Sequence, residues 1–329
     1  MKKIILFVFG FVIALSAVFG ADLAQINFSH KIIAKDSINY ISTYKNTLYI
    51  STNSGEVEIY NVDSRKKIDS ITLPKITDLW GESNPPRVFN THTMDGKKIL
   101  IISQNTADKS NLHIYSNGKL QSVDLGERSG IIKNAFFVSD DEIVLGLGSF
   151  EIVRYNVRTG EVLWSVKPDF EVFTDLQIYD NKVFSATEGG TIYIIDLQSG
   201  KAERILKGAN FDYIYALGVA KGVALTAGRD KICGVYNLTS GDFKRVETEF
   251  MAYSTAISTA QPLRGAVGYN ENGDILVFGI VSYDKRIHSI DKIALLVGGD
   301  APTSKVLFAN QNTIMAIFGG NEVLFWNLK

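Results

Sequence analysis

The segment from Ala227 to Leu238 reads Ala-Gly-Arg-Asp-Lys-Ile-Cys-Gly-Val-Tyr-Asn-Leu, and the fold can be inferred from this pattern. Small residues end one strand, a polar turn containing glycine follows, and an alternating apolar strand then runs to an asparagine. Alternation with a period of two is typical of a β-strand. Residues 186–197 repeat the order in Ala-Thr-Glu-Gly-Gly-Thr-Ile-Tyr-Ile-Ile-Asp-Leu. The segment is therefore one copy of a repeated strand-turn-strand unit.

The unit occurs seven times along the chain. One aromatic or branched residue near the end of the alternating strand marks each copy: Tyr60, Tyr115, Tyr155, Ile195, Tyr236, Phe278 and Trp326. Successive markers are 40 to 55 residues apart. Four-stranded repeats of about 40–45 residues are the sequence signature of β-propellers. The sequence therefore predicts an all-β fold, a seven-bladed β-propeller of four-stranded antiparallel blades.

The two ends of the chain are predicted to close this ring. The last repeat stops at residues 323–329, after its third strand, and a spare strand at roughly Gln25 to Ala34 precedes the first repeat. An unpaired edge strand invites aggregation, and closure removes it. We therefore predict that the N-terminal strand completes the last blade.

The first twenty residues have the parts of a secretory signal peptide. Met1-Lys2-Lys3 is basic, residues 4–19 are apolar, and Val18 and Gly20 precede Ala21. This pattern predicts a signal peptide at residues 1–20, cleaved after Gly20, a single propeller domain at residues 21–329, and a periplasmic location with no membrane span after cleavage. The apolar run is slightly shorter than the about 20 residues that a membrane span needs. An uncleaved N-terminal anchor is the alternative.

Charge and cysteine content exclude several classes of partner and chemistry. The 34 basic and 35 acidic residues give a formal net charge of −1, and a nearly neutral chain without a long basic block argues against nucleic acid as a partner. Cys233 is the only cysteine, so no internal disulfide can form. In an alternating strand, this cysteine is interpreted as a small buried hydrophobe.

The sequence contains no linear motif for catalysis. Its four histidines, His30, His92, His113 and His288, are scattered over the chain without the close pairing that zinc hydrolases need. Neither a phosphate-binding loop nor a nucleophile elbow is present. We therefore expect no cofactor, no metal and no catalytic residue. The alternative is a propeller enzyme of lactonase or lyase type, whose tunnel site is assembled across blades and leaves no linear motif.

The repeats resemble the WD40-like and quinoprotein-like propeller superfamily. The pairs that match the Trp-Asp ending of WD40 units are Tyr236-Asn237, Ile195-Asp196 and Trp326-Asn327, and the Gly-His pair of those units is missing. Residues 156–164 are similar to the Asn-x-x-Thr-Gly-x-x-x-Trp phrase of quinoprotein-like blades. The resemblance implies that Thr159-Gly160 forms a turn and that Trp164 docks neighbouring blades. The eight blades and vicinal cysteines of a true quinoprotein are absent.

The whole chain is similar to the NapL-type accessory proteins of periplasmic nitrate reductase systems. The shared features are a short exported chain, a composition rich in Lys, Ile and Asn, and one divergent ring without a cofactor motif. The resemblance implies a monomeric, non-catalytic platform that assists the maturation of a periplasmic molybdenum oxidoreductase or electron transfer to it. Its partner is then that enzyme or its electron donor. An outer-membrane assembly scaffold is a further alternative.

The longest interval between markers is predicted to carry the partner-binding loop. It contains Trp80, the pair Pro85-Pro86, Arg87 and Phe89. Tandem prolines stiffen a loop and lower the cost of ordering it, and Trp and Arg are enriched among interface anchors. The competing interpretation is that Trp80 folds back onto its blade and that the prolines only cap a strand.

Three arginines of other inter-strand loops are candidates for a polar rim on one face of the ring: Arg128, Arg229 and Arg264. The alternative for each of them is a solvated charge in a turn.

Overall fold

Nearly all of the regular structure in the described residues is β-strand. A computed structural model describes residues 23–77, 80–106, 109–128, 130–168 and 171–328, and the predicted signal peptide at residues 1–20 lies outside them. A 3₁₀ turn at Gly126–Arg128 is the single helical element among these residues. None of their helices is long and apolar enough to cross a bilayer.

The first part of the described chain contains two blades. Two short strands come first, β1 (Ala24–Asn27) and β2 (His30–Ile33). Blade 1 consists of β3 (Ile38–Tyr44), β4 (Thr47–Thr52), β5 (Glu56–Asn61) and β6 (Lys67–Thr72). A small hairpin, β7 (Ile76–Thr77) and β8 (Ser83–Asn84), leads into the next blade. Blade 2 consists of β9 (Val88–His92), β10 (Lys98–Gln104), β11 (Ser110–Ser116) and β12 (Lys119–Val123).

Three regular blades follow. Blade 3 consists of β13 (Ile132–Phe137), β14 (Glu142–Leu147), β15 (Ile152–Asn156) and β16 (Glu161–Val166). Blade 4 consists of β17 (Phe173–Tyr179), β18 (Lys182–Thr187), β19 (Ile192–Asp196) and β20 (Ala202–Leu206). Blade 5 consists of β21 (Ile214–Ala220), β22 (Val223–Gly228), β23 (Ile232–Asn237) and β24 (Phe243–Glu247).

The last two blades include the strands from the N-terminus. Blade 6 consists of β25 (Ala252–Ile257), β26 (Arg264–Tyr269), β27 (Asp274–Tyr283) and β28 (Arg286–Val297), with β1 added beyond β28. Blade 7 consists of β29 (Lys305–Phe308), β30 (Thr313–Ile317) and β31 (Glu322–Asn327), with β2 as its outermost strand. The prediction of seven antiparallel four-stranded blades is confirmed, and blade 6 carries a fifth strand besides.

The ring is closed by the N-terminal segment, as predicted, but in two places instead of one. Strand β2 pairs antiparallel with β31, with His30 opposite Phe325 and Ile33 opposite Glu322. Strand β1 pairs parallel with β28 of blade 6. The chain passes from one blade to the next at Ser29, whose backbone N–H donates to the Phe325 carbonyl at 2.7 Å. The single predicted strand is therefore two strands that join neighbouring blades.

The apolar interior lies between the blades. Seven buried clusters exist among the described residues, and each combines side chains from two adjacent blades. Strand β10 illustrates the cause: Ile99 and Ile101 face blade 1, whereas Leu100 and Ile102 face blade 3. Because successive side chains of a strand point to opposite faces, a blade covered on both faces needs a continuous apolar run.

Trp164 holds blade 3 to blade 4. Its indole Nε1 donates to the Leu197 carbonyl at 2.8 Å. The ring lies over Gly200, where a Cβ atom would be 2.8 Å from the indole and where φ is +69°. Only glycine fits such a position without strain. The docking role that the quinoprotein-like resemblance implied for Trp164 agrees with these contacts.

The connections between strands lie on two faces of the ring. Segments that enter the innermost strand of a blade share one face, here called the entry face, with the turns between second and third strands. Backbone hydrogen bonds join the two kinds of connection, from Asn53 to Ser37 at 2.9 Å in blade 1 and from Arg229 to Tyr213 at 2.8 Å in blade 5. Turns between first and second strands, and between third and fourth strands, lie on the opposite face because the strands are antiparallel.

Candidate functional site on the entry face

The predicted partner-binding loop lies on the entry face and projects from it. Trp80 stands between β7 and β8 in the segment that enters blade 2, and 88% of its surface is exposed. Arg87 is also exposed, and 37% of the surface of Phe89 is exposed on β9. The competing interpretation, in which Trp80 folds back onto its blade, does not fit this exposure.

The two prolines of this loop anchor it to blade 1. Pro86 is buried, and a Cβ atom built on Gly55 would lie 3.0 Å from Pro85 and 3.2 Å from Pro86. Gly55 belongs to the turn between β4 and β5, so the prolines rest on the neighbouring turn. The backbone of Arg87 is fixed as well, because its carbonyl accepts from the Gln104 N–H at 2.7 Å. The exposed side chain of Arg87 is therefore held by an ordered backbone.

Other large apolar side chains are exposed on the same face. They belong to the connections of blades 2 to 5 and are Ile131 (54%), Phe150 (40%) and Phe211 (69%). The Arg245 guanidinium lies 4.7 Å from the centre of the Phe211 ring. With Trp80 and Phe89, these side chains give the entry face an apolar character.

A recurring β-bulge shapes the inner border of this face. In six of the blades, the second residue of the innermost strand has no partner on the next strand, and the register shifts by one. The bulged residues are Asn39, Phe89, Lys133, Thr174, Tyr215 and Tyr253. A bulge re-aims a side chain and is common next to functional sites. These six residues form a ring around the entry-face mouth of the central tunnel.

Three of the six bulged residues are aromatic, and two of these contact further aromatic rings. Ring centroids lie 5.0 Å apart for Tyr213 and Tyr215, 5.7 Å for Tyr215 and Tyr253, and 6.5 Å for Phe250 and Tyr253. Such spacings are typical of interacting aromatic rings. Sequence reasoning identified only Phe89 among the bulged residues. The other bulged residues are not of a single residue type, and they could have been found only by their position as the second residue of an innermost strand.

Lys133 lies between aromatic rings on the same border. Its Nζ is 5.1 Å from the centre of the Phe173 ring and 5.6 Å from that of Phe150. Burial lowers the pKa of Lys133, and the charge of Glu188 opposes this effect. A cation held against two rings adds a polar contact to an otherwise apolar surface.

Two of the three predicted rim arginines lie on the entry face. Arg128 ends the 3₁₀ turn before blade 3, and its Nε is buried without a hydrogen-bond partner among the described residues. Arg229 lies in the turn between β22 and β23, with its Nε 3.9 Å from Asp212.

Arg264 lies elsewhere. It begins β26 on the opposite face, where its Nη1 donates to the Gln311 carbonyl and to Asn312 Oδ1, both at 3.0 Å. These bonds tie blade 6 to blade 7. A polar rim that includes all three arginines on one face is therefore wrong.

The histidines are dispersed in the structure as in the sequence. His113 is buried, and its two ring nitrogens contact Ser103 Oγ at 3.1 Å and Ser122 Oγ at 3.2 Å. His92 belongs to the innermost strand β9. Within the described ranges, no group of three or more His, Cys, Asp or Glu residues is arranged to hold a metal ion. Cys233 is buried, and burial raises the pKa of its thiol to about 12.

His92 is held in the neutral state. The Phe137 N–H donates to its Nδ1 at 3.1 Å, which places the ring proton on Nε2. The rings of Phe136 and Phe137 lie 5.2 Å and 6.4 Å from the imidazole. Burial lowers the pKa of His92 to about 4.

The lowered pKa of His92 predicts a loss of stability at acid pH, to which the buried His113, whose pKa burial also lowers, contributes in the same direction. In the unfolded chain the imidazole binds a proton below pH about 6.5, whereas the folded protein takes it up near pH 4. Stability is therefore lost as the pH falls between these values, by up to about 3 kcal/mol. Urea unfolding measures the free energy of unfolding at pH 7 and at pH 4.5. Between these two pH values, His92→Gln is expected to lose less of this free energy than the native protein does. The control His30→Gln, at an exposed position, is expected to lose as much as the native protein, and an equal loss in His92→Gln would contradict the assignment.

Comparison with known proteins identifies a related family for part of the ring. A sequence model described as outer membrane protein assembly factor BamB matches residues 115–204, from β11 to β20. Over this stretch, the chain resembles a BamB propeller. The matched region includes Trp164 and its docking contact with blade 4, and it covers less than a third of the chain. No curated protein sequence matches the chain.

Two solved structures share the fold over nearly the whole ring. A chain of the structure titled mitotic checkpoint complex superposes with a TM-score of 0.72 and 13% identity, covering 99% of both chains. The structure titled U3-55K superposes with a TM-score of 0.72 and 11% identity, covering 92% of this chain and 100% of that one. At such identities the likeness concerns the fold alone, since propellers of one architecture serve unrelated functions.

Proposed function

We propose that this protein is an exported, non-catalytic protein-binding platform whose partner docks on the entry face. The observation that carries the proposal is the presence of several exposed large apolar side chains on this face, Trp80 and Phe89 among them. A surface that exposes several large apolar side chains is a candidate site of interaction. Trp and Arg, which occur here as Trp80 and Arg87, are also among the residue types that contribute most to the binding energy of interfaces.

The rigidity of the loop supports the same function. Pro85 and Pro86 rest on the Gly55 turn, and the Arg87 backbone is bonded to β10. A surface that is ordered before binding loses little conformational freedom when the partner arrives. The segment from Pro85 to Arg87 is thus preorganised for binding.

Two classes of partner follow from the likenesses of the chain. The match of residues 115–204 to the BamB family favours a component of outer-membrane assembly. The likeness to accessory proteins of nitrate reductase systems favours a periplasmic molybdenum oxidoreductase or its electron donor. Both classes require export, which we propose on the pattern of residues 1–20.

Capture of the partner tests the proposal. The double variant Trp80→Ala/Arg87→Ala is expected to recover at least about tenfold less partner from a cell-envelope extract, because it removes two anchor side chains. Its melting temperature is expected to stay within about 2 °C of the native value, since exposed substitutions cost little. Mass spectrometry of the captured protein distinguishes an assembly component from an oxidoreductase.

The control is a matched pair on the opposite face. Tyr283→Ala/Arg286→Ala also removes one exposed aromatic ring and one exposed arginine, from the turn between β27 and β28. We expect this variant to capture the partner as well as the native protein does. Equal capture by the Trp80/Arg87 variant, or a loss confined to the Tyr283/Arg286 variant, would show that the partner docks elsewhere.

A further inference from the structure

A cavity of about 220 Å³ lies among the innermost strands of five blades, on the side of the central tunnel. Every residue that lines it belongs to an innermost strand, from β3, β9, β13, β17 or β29. The polar side chains of the lining are Tyr40, Ser42, Thr43, Asn90, Thr91, His92, Gln177 and Lys305. At about 30 Å³ for each water molecule, the cavity has room for a small organic molecule.

Lys305 is the one side chain of this lining that carries a full charge at neutral pH. Its Nζ lies 4.9 Å from the centre of the Tyr40 ring, and among the described residues it forms no ion pair. Burial lowers the pKa of Lys305, but Tyr40 and Asp175 outweigh this effect and raise it above its ordinary value. The cation is therefore retained in a confined space, where an unpaired charge is costly.

Asp175 is the acidic residue that acts on this cation, and its oxygens are already engaged. Its Oδ1 accepts from Asn134 Nδ2 at 3.2 Å and from the Leu176 N–H at 2.8 Å. Its Oδ2 accepts from the Leu217 N–H at 2.9 Å. Burial raises the pKa of Asp175, so this carboxyl holds its charge less firmly than an exposed aspartate. It does not reach Lys305 as an ion-pair partner.

The remainder of the lining supplies hydrogen-bond donors. His92 is neutral with its proton on Nε2, because Nδ1 is occupied by the Phe137 N–H. Asn90 and Gln177 carry amide groups, and Ser42 and Thr91 carry hydroxyls whose oxygens lie 2.9 Å apart. Donors around a lone cation are the surroundings that a carboxylate needs.

We propose that the tunnel cavity is a binding site for a small monocarboxylate, held by Lys305 Nζ and by the amide and imidazole donors of the lining. A carboxylate brings one negative charge to the one cation of the lining. A dianion such as phosphate is disfavoured relative to a monoanion, because the carboxyl of Asp175, which acts on Lys305, repels each added negative charge. The proposal does not depend on the docking of a partner protein.

Calorimetric titration of the purified full-length mature protein with sodium acetate and sodium lactate tests the site. Binding by the native protein is expected to be weakened by at least about tenfold in Lys305→Met, because a charge-assisted hydrogen bond is lost. The control Lys244→Met removes a lysine from the exposed surface of β24 and is expected to bind as the native protein does. Sodium chloride and sodium phosphate serve as the inorganic probes.

Gln177→Leu extends the test should Lys305→Met fail to fold. It removes one donor, keeps the cation, and is expected to weaken carboxylate binding by about three- to tenfold. The proposal is overturned if the native protein binds neither carboxylate at millimolar concentration. It is also overturned if both cavity variants bind like Lys244→Met, or if chloride and phosphate bind as tightly as acetate.

Discussion

Deleting residues 22–34 is expected to lower the melting temperature by about 10 °C or more. The deletion removes β1 and β2, exposes the edges of β28 and β31, and uncovers the Ile32 side chain from the cluster between blades 7 and 1. A large buried aliphatic side chain alone contributes about 2–5 kcal/mol, and lost strand pairing adds to it. Because β1 pairs with blade 6 and β2 pairs with blade 7, the deletion removes an outer strand from both blades at once. Calorimetry of the protein with and without these residues measures the effect.

A pair of adjacent residues provides the control for strand β2. Ile32 is 4% exposed and Ile33 is 58% exposed on the same strand. Ile32→Ala is expected to cost about 2–4 kcal/mol in the free energy of unfolding, and Ile33→Ala less than about 0.5 kcal/mol. Equal effects of the two substitutions, or a truncated protein that melts with the native one, would show that β2 does not close the ring in solution.

Replacing Trp326 by alanine is expected to cost about 3–5 kcal/mol in the free energy of unfolding. The indole is completely buried, and its Nε1 donates to the Val297 carbonyl at the end of β28 at 3.0 Å. The rings of Phe28 and Phe318 lie 6.5 Å and 6.0 Å from it. The substitution leaves a large cavity between blades 6 and 7 and an unpaired carbonyl. Denaturant unfolding measures the cost.

Trp80→Ala is the matched substitution at an exposed site. The same side chain is removed, but Trp80 is 88% exposed, so the expected change is within about 0.5 kcal/mol. The two variants together separate the structural role of Trp326 from the binding role proposed for Trp80. A destabilised Trp80→Ala protein would assign the hairpin of β7 and β8 to the structural framework instead.

The number of blades could be predicted from the sequence because each blade repeats the same pattern of apolar residues along its strands. Each alternating strand must present apolar side chains to both neighbouring blades, and this demand leaves a regular signal, as in Ile99 to Ile102 of β10. The spare strand at the N-terminus was visible for the same reason. Its division at Ser29 between two blades was not, because the parallel pairing of β1 with β28 has no local sequence signal.

The border of the candidate site was predicted only in part. The bulged positions share a place in the strand but no chemistry, as the contrast between Asn39, Lys133 and Tyr253 shows. Residue type therefore does not reveal them. Arg264 was misplaced because a loop residue of a repeat can belong to either face, and the order of strands within the blade decides which.

The pairing of β2 with β31 imposes an order of events on the newborn chain. Ser29 and Phe325 are bonded across 296 positions of sequence, so the first strands to be synthesised must wait for the last ones. Contacts of such high sequence separation form late and slow the completion of folding. The outermost strand of blade 7 therefore stays unpaired until the C-terminal strands have emerged. A chain that lacks the C-terminal strands therefore leaves unpaired edge strands at both ends of an open ring. Ring closure requires both β2 and β31.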